Sequence, residues 1–144
     1  MKIAVGADHA GYRLKEHLAR LLAREGHEVE DLGTSSADSV DYPDFAAVVS
    51  GKVAAGEAER GILVCGTGIG MAMAANKIRG VRAAACNELF SARMARAHND
   101  ANVLALGERV VGTGLAEEIV RTFLATPYED GRHARRLEKI RALE

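Results

Sequence analysis

Short apolar runs separated by helix-length stretches constrain this chain more than any other feature. KIAVG (2–6), HEVEDLG (27–33), GILVC (61–65), VRAAAC (81–86) and NVLALG (102–107) read as strands. GILVC is apolar throughout, the pattern of a strand covered on both faces, whereas HEVEDLG is more polar and suits a sheet edge. After the first run, Leu14, Leu18, Leu21 and Leu22 fall at i, i+4, i+7 and i+8, one apolar stripe of a helix that Gly26 ends. Further helices are expected over 44–55, 69–78, 88–97, 113–125 and 129–143, with 33–43 as the longest loop. Alternation of this kind predicts an α/β fold: a three-layer α/β/α sandwich around a five-stranded, parallel, Rossmann-like sheet. With 144 residues and no repeat or linker, one domain over 1–144 is expected.

Composition removes several classes of partner. A net charge of -1 offers no global attraction to nucleic acid or to an anionic membrane, so any anion site must be local. No apolar run approaches the roughly 20 residues of a membrane span. The segment MKIAVGADHAG runs straight into a strand pattern rather than a secretory h-region, and two cysteines are too few for a disulfide framework. A cytoplasmic, reducing location is the expectation.

In doubly wound folds, ligands bind beyond the carboxyl ends of the strands. That rule selects Asp8 and His9, the segment from Cys65 to Gly70, Cys86 and Asn87, and the region from Gly107 to Arg109. Gly66-Thr67-Gly68-Ile69-Gly70 joins a buried strand to a helix, and such glycines let backbone N–H groups and a helix N-terminus cradle an anion. A phosphate-binding Walker loop would need Lys after the last glycine, where Met71 stands. The dinucleotide fingerprint needs its third glycine one residue later. The position that a cysteine phosphatase gives to arginine is again Met71. What remains is an oxyanion cradle beside a thiol.

Two readings of Cys65 stand on placement alone. A thiol at a helix N-terminus is acidified and can accept a proton near neutral pH; equally, a small apolar residue can close a buried strand. Cys86 ends a strand without a cradle and reads as core. Asp8 suits a helix cap or a partner for His9, and His9 could grip phosphate or shuttle a proton. Tyr42, in the long loop, either packs there or serves the site. His98, at a helix end in ARAHNDAN, either stabilises the dipole or takes part in chemistry. Arg132 and Arg136, four apart on the last helix, form either a solvated face or a dianion site, and Arg109 carries the same pair of readings.

Five stretches together resemble the ribose-5-phosphate isomerase type B family, which includes galactose-6-phosphate isomerase subunits: GADHAGYRLK (6–15), DLGT with DYPD (31–44), GILVCGTGIGMAMAANKIRGVRAA (61–84), HNDANVLALGERVVG (98–112) and GRHARRL (131–137). The likeness spans nearly the whole chain. It implies reversible aldose–ketose isomerisation of a sugar phosphate, with no metal and no organic cofactor. By that resemblance Cys65 is the base, and the N–H groups of Gly66, Thr67, Gly68, Ile69 and Gly70 hold the enediolate oxygen. Thr67 and His98 open the furanose ring. Asp8 and Tyr42 contact sugar hydroxyls, Asn99 lies near the enediolate, and His9, Arg132 and Arg136 bind phosphate with Arg109 as a further candidate. It also implies a homodimer with each site shared between subunits, with a dimer of dimers left open. Some relatives place a glutamate base where this chain has Met71, which leaves the role to Cys65. Two other readings fit the same residues: isomerisation of a six-carbon substrate such as allose or galactose 6-phosphate, and a non-catalytic nucleotide- or phosphate-binding module.

Overall fold

The computed structural model describes all residues from Met1 to Glu144. Five strands, β1 (Lys2–Ala7), β2 (Glu28–Asp31), β3 (Arg60–Cys65), β4 (Ala83–Ala85) and β5 (Val103–Gly107), form one parallel sheet in the order β2-β1-β3-β5-β4. Six helices connect or follow them: α1 (Tyr12–Arg24), α2 (Tyr42–Ala54), α3 (Ile69–Ala75), α4 (Leu89–Ala97), α5 (Thr113–Ala125) and α6 (Ala134–Arg141).

Period-two alternation decides which helices each strand meets. Ile3, Val5, Ile62, Val64, Leu104 and Leu106 point to one face and pack with the leucine stripe of α1, with Ala92 and Ala95 of α4, and with Ile119, Val120 and Phe123 of α5. The intervening Ala4, Leu63, Cys65, Val103 and Ala105 point to the other, against Val49 and Val53 of α2 and Met71, Ala72 and Ala75 of α3. The expected sandwich therefore forms, and Cys65 faces the α2–α3 layer. The polar second strand lies at the edge, as its composition predicts.

Several boundaries differ from the sequence expectation, each for a local reason. Tyr42 is not a loop residue; it opens α2, with Pro43 in the first turn, where a missing N–H costs nothing. The helix expected over 69–78 stops at Ala75. Its C-cap, Asn76, turns its amide to the exposed edge of β4, donating to Ala83 O at 2.9 Å and accepting from Ala83 N at 2.8 Å. The fourth strand begins at Ala83 rather than 81, because the Arg82 N–H is taken by Asn102 Oδ1 and the Val81 N–H by Ile78 O. Glu88 is the N-cap of α4 rather than its first residue. Its carboxylate accepts from Phe90 N and Ser91 N, and these bonds hold its carboxyl below the usual range. The last helix is broken: Gly131–His133 form a 3-10 turn before α6, with Gly131 at φ 73°. Arg132 and Arg136 therefore do not share one face of a continuous α-helix.

Candidate active site

The glycine loop leaves β3 at Cys65 and enters α3 at Ile69. Its three leading carbonyls are all tied to residues that follow β5 or β4. Cys65 O accepts from Glu108 N at 2.9 Å, Gly66 O from Arg109 N at 3.1 Å, and Thr67 O from Asn87 Nδ2 at 3.0 Å. In a planar trans peptide the N–H points opposite to the C=O. Anchoring these carbonyls toward the end of β5 therefore turns the N–H groups of Gly66, Thr67 and Gly68 the other way. The Gly68 N–H donates to Cys65 Sγ at 3.1 Å. The N–H groups of Gly66, Thr67, Gly70 and Met71 have no hydrogen-bond partner in the chain.

The cradle thus differs from the one expected. The amide of Gly68 is committed to the sulfur and that of Ile69 to Thr67 Oγ1 at 3.2 Å, while Met71, the first residue past the glycines, contributes a free one. Gly68 holds φ 82°, and a Cβ there would lie 3.0 Å from the Leu106 backbone. Gly70 meets the ring of Tyr42, which would stand 2.7 Å from any added Cβ. A Cβ at Gly107 would likewise stand 2.7 Å from the Thr67 backbone.

The neighbouring candidates gather at this same carboxyl end. Asp8 is buried, and its Oδ1 accepts from Ala10 N at 2.9 Å and Gly11 N at 3.1 Å, fastening the turn into α1. Gly11 packs directly on the backbone of Val64 and Cys65. The Val40 N–H donates to His9 Nδ1 at 3.2 Å, so the proton of neutral His9 sits on Nε2. Arg109 lays its side chain over Gly66, and Glu108 Oε2 accepts from Leu14 N in the first turn of α1. Cys86 is the expected core residue: it is buried, and desolvation with the charge of Glu88 pushes its thiol up to about 11.

The other candidates lie elsewhere. His98 caps the C-terminus of α4, and Asn99 follows it, before β5 begins at Val103. Cys65 is level with Gly107, the last residue of that strand. About 13 Å of strand separates the two ends. Arg132 and Arg136 belong with His98, because the Glu129 N–H donates to Ala97 O and the His133 ring stacks on His98 at 4.2 Å between centroids and 14° between planes. Within one chain the thiol and the His98 cluster are therefore apart.

The sequence alone does not mark His133 or Glu129; the stack on His98 places the first and the bond from Glu129 N to Ala97 O the second. Burial, His98 and the two arginines hold His133 below the ordinary histidine range. His98, Glu129 and His133 offer ligand atoms all within 4.8 Å of one another, a donor set suited to zinc. Because the two rings are nearly parallel, their in-plane lone pairs run side by side, and one ring would have to turn to share an ion. A cavity of about 710 Å³ is also on this side, lined by Lys77, Val81, Arg82, Asn99 and Ile140, and includes none of the residues around Cys65. No helix is long and apolar enough to cross a membrane.

Residues 3–140 match the model of the Ribose/Galactose Isomerase family. The chain is 51% identical over 143 residues to ribose-5-phosphate isomerase B of Escherichia coli (strain K12), covering 99% of this chain and 96% of that protein. Among solved structures it superposes on Clostridium thermocellum ribose-5-phosphate isomerase B with a TM-score of 0.98 at 54% identity, covering 99% and 97% of the two chains. It superposes on ribose-5-phosphate isomerase B from Mycoplasma genitalium with bound ribulose-5-phosphate at a TM-score of 0.95 and 42% identity, covering 99% and 95%. With the sheet order, the cysteine–glycine loop and these likenesses in agreement, the chain belongs to the ribose/galactose isomerase family.

Proposed function

We propose that this chain interconverts D-ribose 5-phosphate and D-ribulose 5-phosphate through a cis-enediolate, with Cys65 as the base and no metal or organic cofactor in the scheme. Thr67 and His98 assist ring opening. The Cys65 thiolate removes the proton from C2 of the open aldose. As the C–H bond breaks, its electrons form the enediolate double bond and negative charge collects on the carbonyl oxygen. Free backbone donors at Gly66, Thr67, Gly70 and Met71 stabilise that charge, with Asn99 near it. The protonated sulfur returns the proton to C1, and the C2 hydroxyl passes its own proton to the C1 oxygen as the C2 carbonyl forms, leaving the ketose. Asp8 and Tyr42 contact sugar hydroxyls, and His9, Arg109, Arg132 and Arg136 bind the phosphate, whose distance from the reacting carbons makes it a positioning handle.

One observation carries the reading: a sulfur with a backbone donor aimed at it lies beside four amide donors that have no partner. Because Cys65 and His98 are apart within one chain, the scheme assigns the His98 cluster to the neighbouring subunit of a homodimer, each site being shared. One domain spanning 1–144, working in a reducing cytoplasm with Cys65 and Cys86 as free thiols, completes the proposal.

Incubation with ribose 5-phosphate in chelator-treated buffer tests it, with ketose formation as the readout. Wild type should produce ribulose 5-phosphate. A Cys65→Ser variant of unchanged melting temperature should lose about 10²-fold or more in kcat. Near-wild-type turnover in that variant would remove Cys65 from the base role. A six-carbon substrate has one specific support, the family's own description, which names galactose beside ribose. Comparing kcat/KM for ribose 5-phosphate with allose and galactose 6-phosphates decides between them.

A further inference from the structure

Asn87 follows β4, and its side chain is the only one that bridges the glycine loop to β5. Its Nδ2 donates to Thr67 O at 3.0 Å, and its Oδ1 accepts from Gly107 N at 2.9 Å. The two partners fix the amide's orientation, since a carbonyl requires the NH₂ end and an N–H requires the oxygen. The seam it spans is tight, with the Thr67 backbone resting on Gly107.

The Thr67 carbonyl and the Gly68 N–H belong to one peptide unit. That unit is planar and trans, so its two polar ends are antiparallel and cannot turn independently. One end is held by Asn87; the other points at Cys65 Sγ from 3.1 Å. We propose that Asn87 is a positioning residue: by gripping Thr67 O it sets the rotation of the Thr67–Gly68 peptide and so aims the Gly68 N–H at the sulfur of Cys65. The neighbouring peptides are held by main-chain donors, Glu108 N and Arg109 N, which no side-chain substitution removes. Of these three peptides, only Thr67–Gly68 has its carbonyl held by a side chain. With the grip gone, Gly68, lacking a side chain and already at positive φ, lets that peptide rotate. The sulfur then loses a donor that favours its anionic form.

This inference rests on Cys65 as the base, and its test separates the two claims. Asn87→Ala removes both hydrogen bonds. Asn87→Asp keeps the acceptor for Gly107 but sets a carboxylate oxygen against Thr67 O, at almost no change of shape. In both variants kcat for ribose 5-phosphate should fall about tenfold while KM stays within about twofold, because the phosphate contacts are untouched. The pH profile of Cys65 alkylation by iodoacetamide should also move to higher pH than in wild type, a readout independent of turnover. A purely structural role for Asn87 would lower the melting temperature while leaving the alkylation profile and the kcat of the folded fraction at wild-type values, and that result overturns the proposal. Asn87→Asp with wild-type kcat overturns it even where Asn87→Ala fails to fold. Should Cys65→Ser remain active while the Asn87 variants still displace the alkylation profile, the base assignment falls and the positioning of the sulfur stands.

Discussion

Cys65 is level with the last residue of β5, whereas His98 precedes the first. A sheet cannot fold back on itself to join its two ends, so the proposed chemistry needs two chains. Mixing two inactive variants tests this directly. Cys65→Ser and His98→Asn, combined at equal amounts and allowed to exchange subunits, should regain about a quarter of wild-type activity. Half of the dimers would then be mixed, and each mixed dimer carries one intact site of two. No recovery after demonstrated subunit exchange would place each site within a single chain.

Tyr42 and Gly70 give a second test. A Cβ at Gly70 would stand 2.7 Å from the ring, but Tyr42 is 40% exposed and can swing outward. Gly70→Ala also gains about 1 kcal/mol of helix propensity. The melting temperature should therefore hold within a few degrees while KM for the sugar phosphate rises several-fold. Unchanged KM in a steady-state assay would mean that the ring has no part in binding.

The two cysteines should behave differently toward alkylation and pH. The Cys86 thiol is raised from 9.0 to about 11 by burial and by Glu88, so iodoacetamide at pH 8 should label Cys65 alone, read by peptide mass. Raising the folded-state value means that the folded chain holds this proton longer than the unfolded one. Stability from this group is intact below pH 9 and declines as pH climbs from 9 toward 11, by at most about 3 kcal/mol. A Cys86→Ala variant should lose that component, giving a shallower fall in denaturation midpoint over the same window.

Lys15 is 1% exposed, and its Nζ donates to both oxygens of Asp31 at 2.7 and 2.8 Å and to Glu16 at 2.8 Å. Asp31→Asn leaves a buried cation with a weakened partner. The partial exposure of Asp31 reduces the effect below that of a fully buried pair, to about 1–3 kcal/mol in urea unfolding. Adding Lys15→Met should recover most of that loss, because an apolar side chain of similar length needs no counter-charge. A double variant no more stable than Asp31→Asn would contradict this.

The layered fold was legible because period two and period 3.6 are local properties of a chain. The leucines of α1 and the alternation in GILVC and NVLALG specify which face each residue covers before any partner is known. The CGTGIG loop was legible for the same reason, as glycine spacing states where the backbone turns. Strand order was not, since β5 inserts between β3 and β4 through contacts far apart in sequence. The end of α3 was not legible either, because Asn76 closes it by pairing with β4, whereas the start of α2 at Tyr42 follows from a local signal, Pro43 in the first turn.

By itself, then, the sequence determined the α/β layering, the buried strands and the cysteine–glycine loop, all set by short-range pattern and backbone conformational freedom. Only the tertiary structure decided which amides stay free, because Glu108, Arg109 and Asn87 reach the loop from beyond β4 and β5 and fix each peptide by its carbonyl. It also separated Cys65 from the His98 cluster, since the length of β5 lies between them and no local pattern records which end of a sheet a loop will occupy.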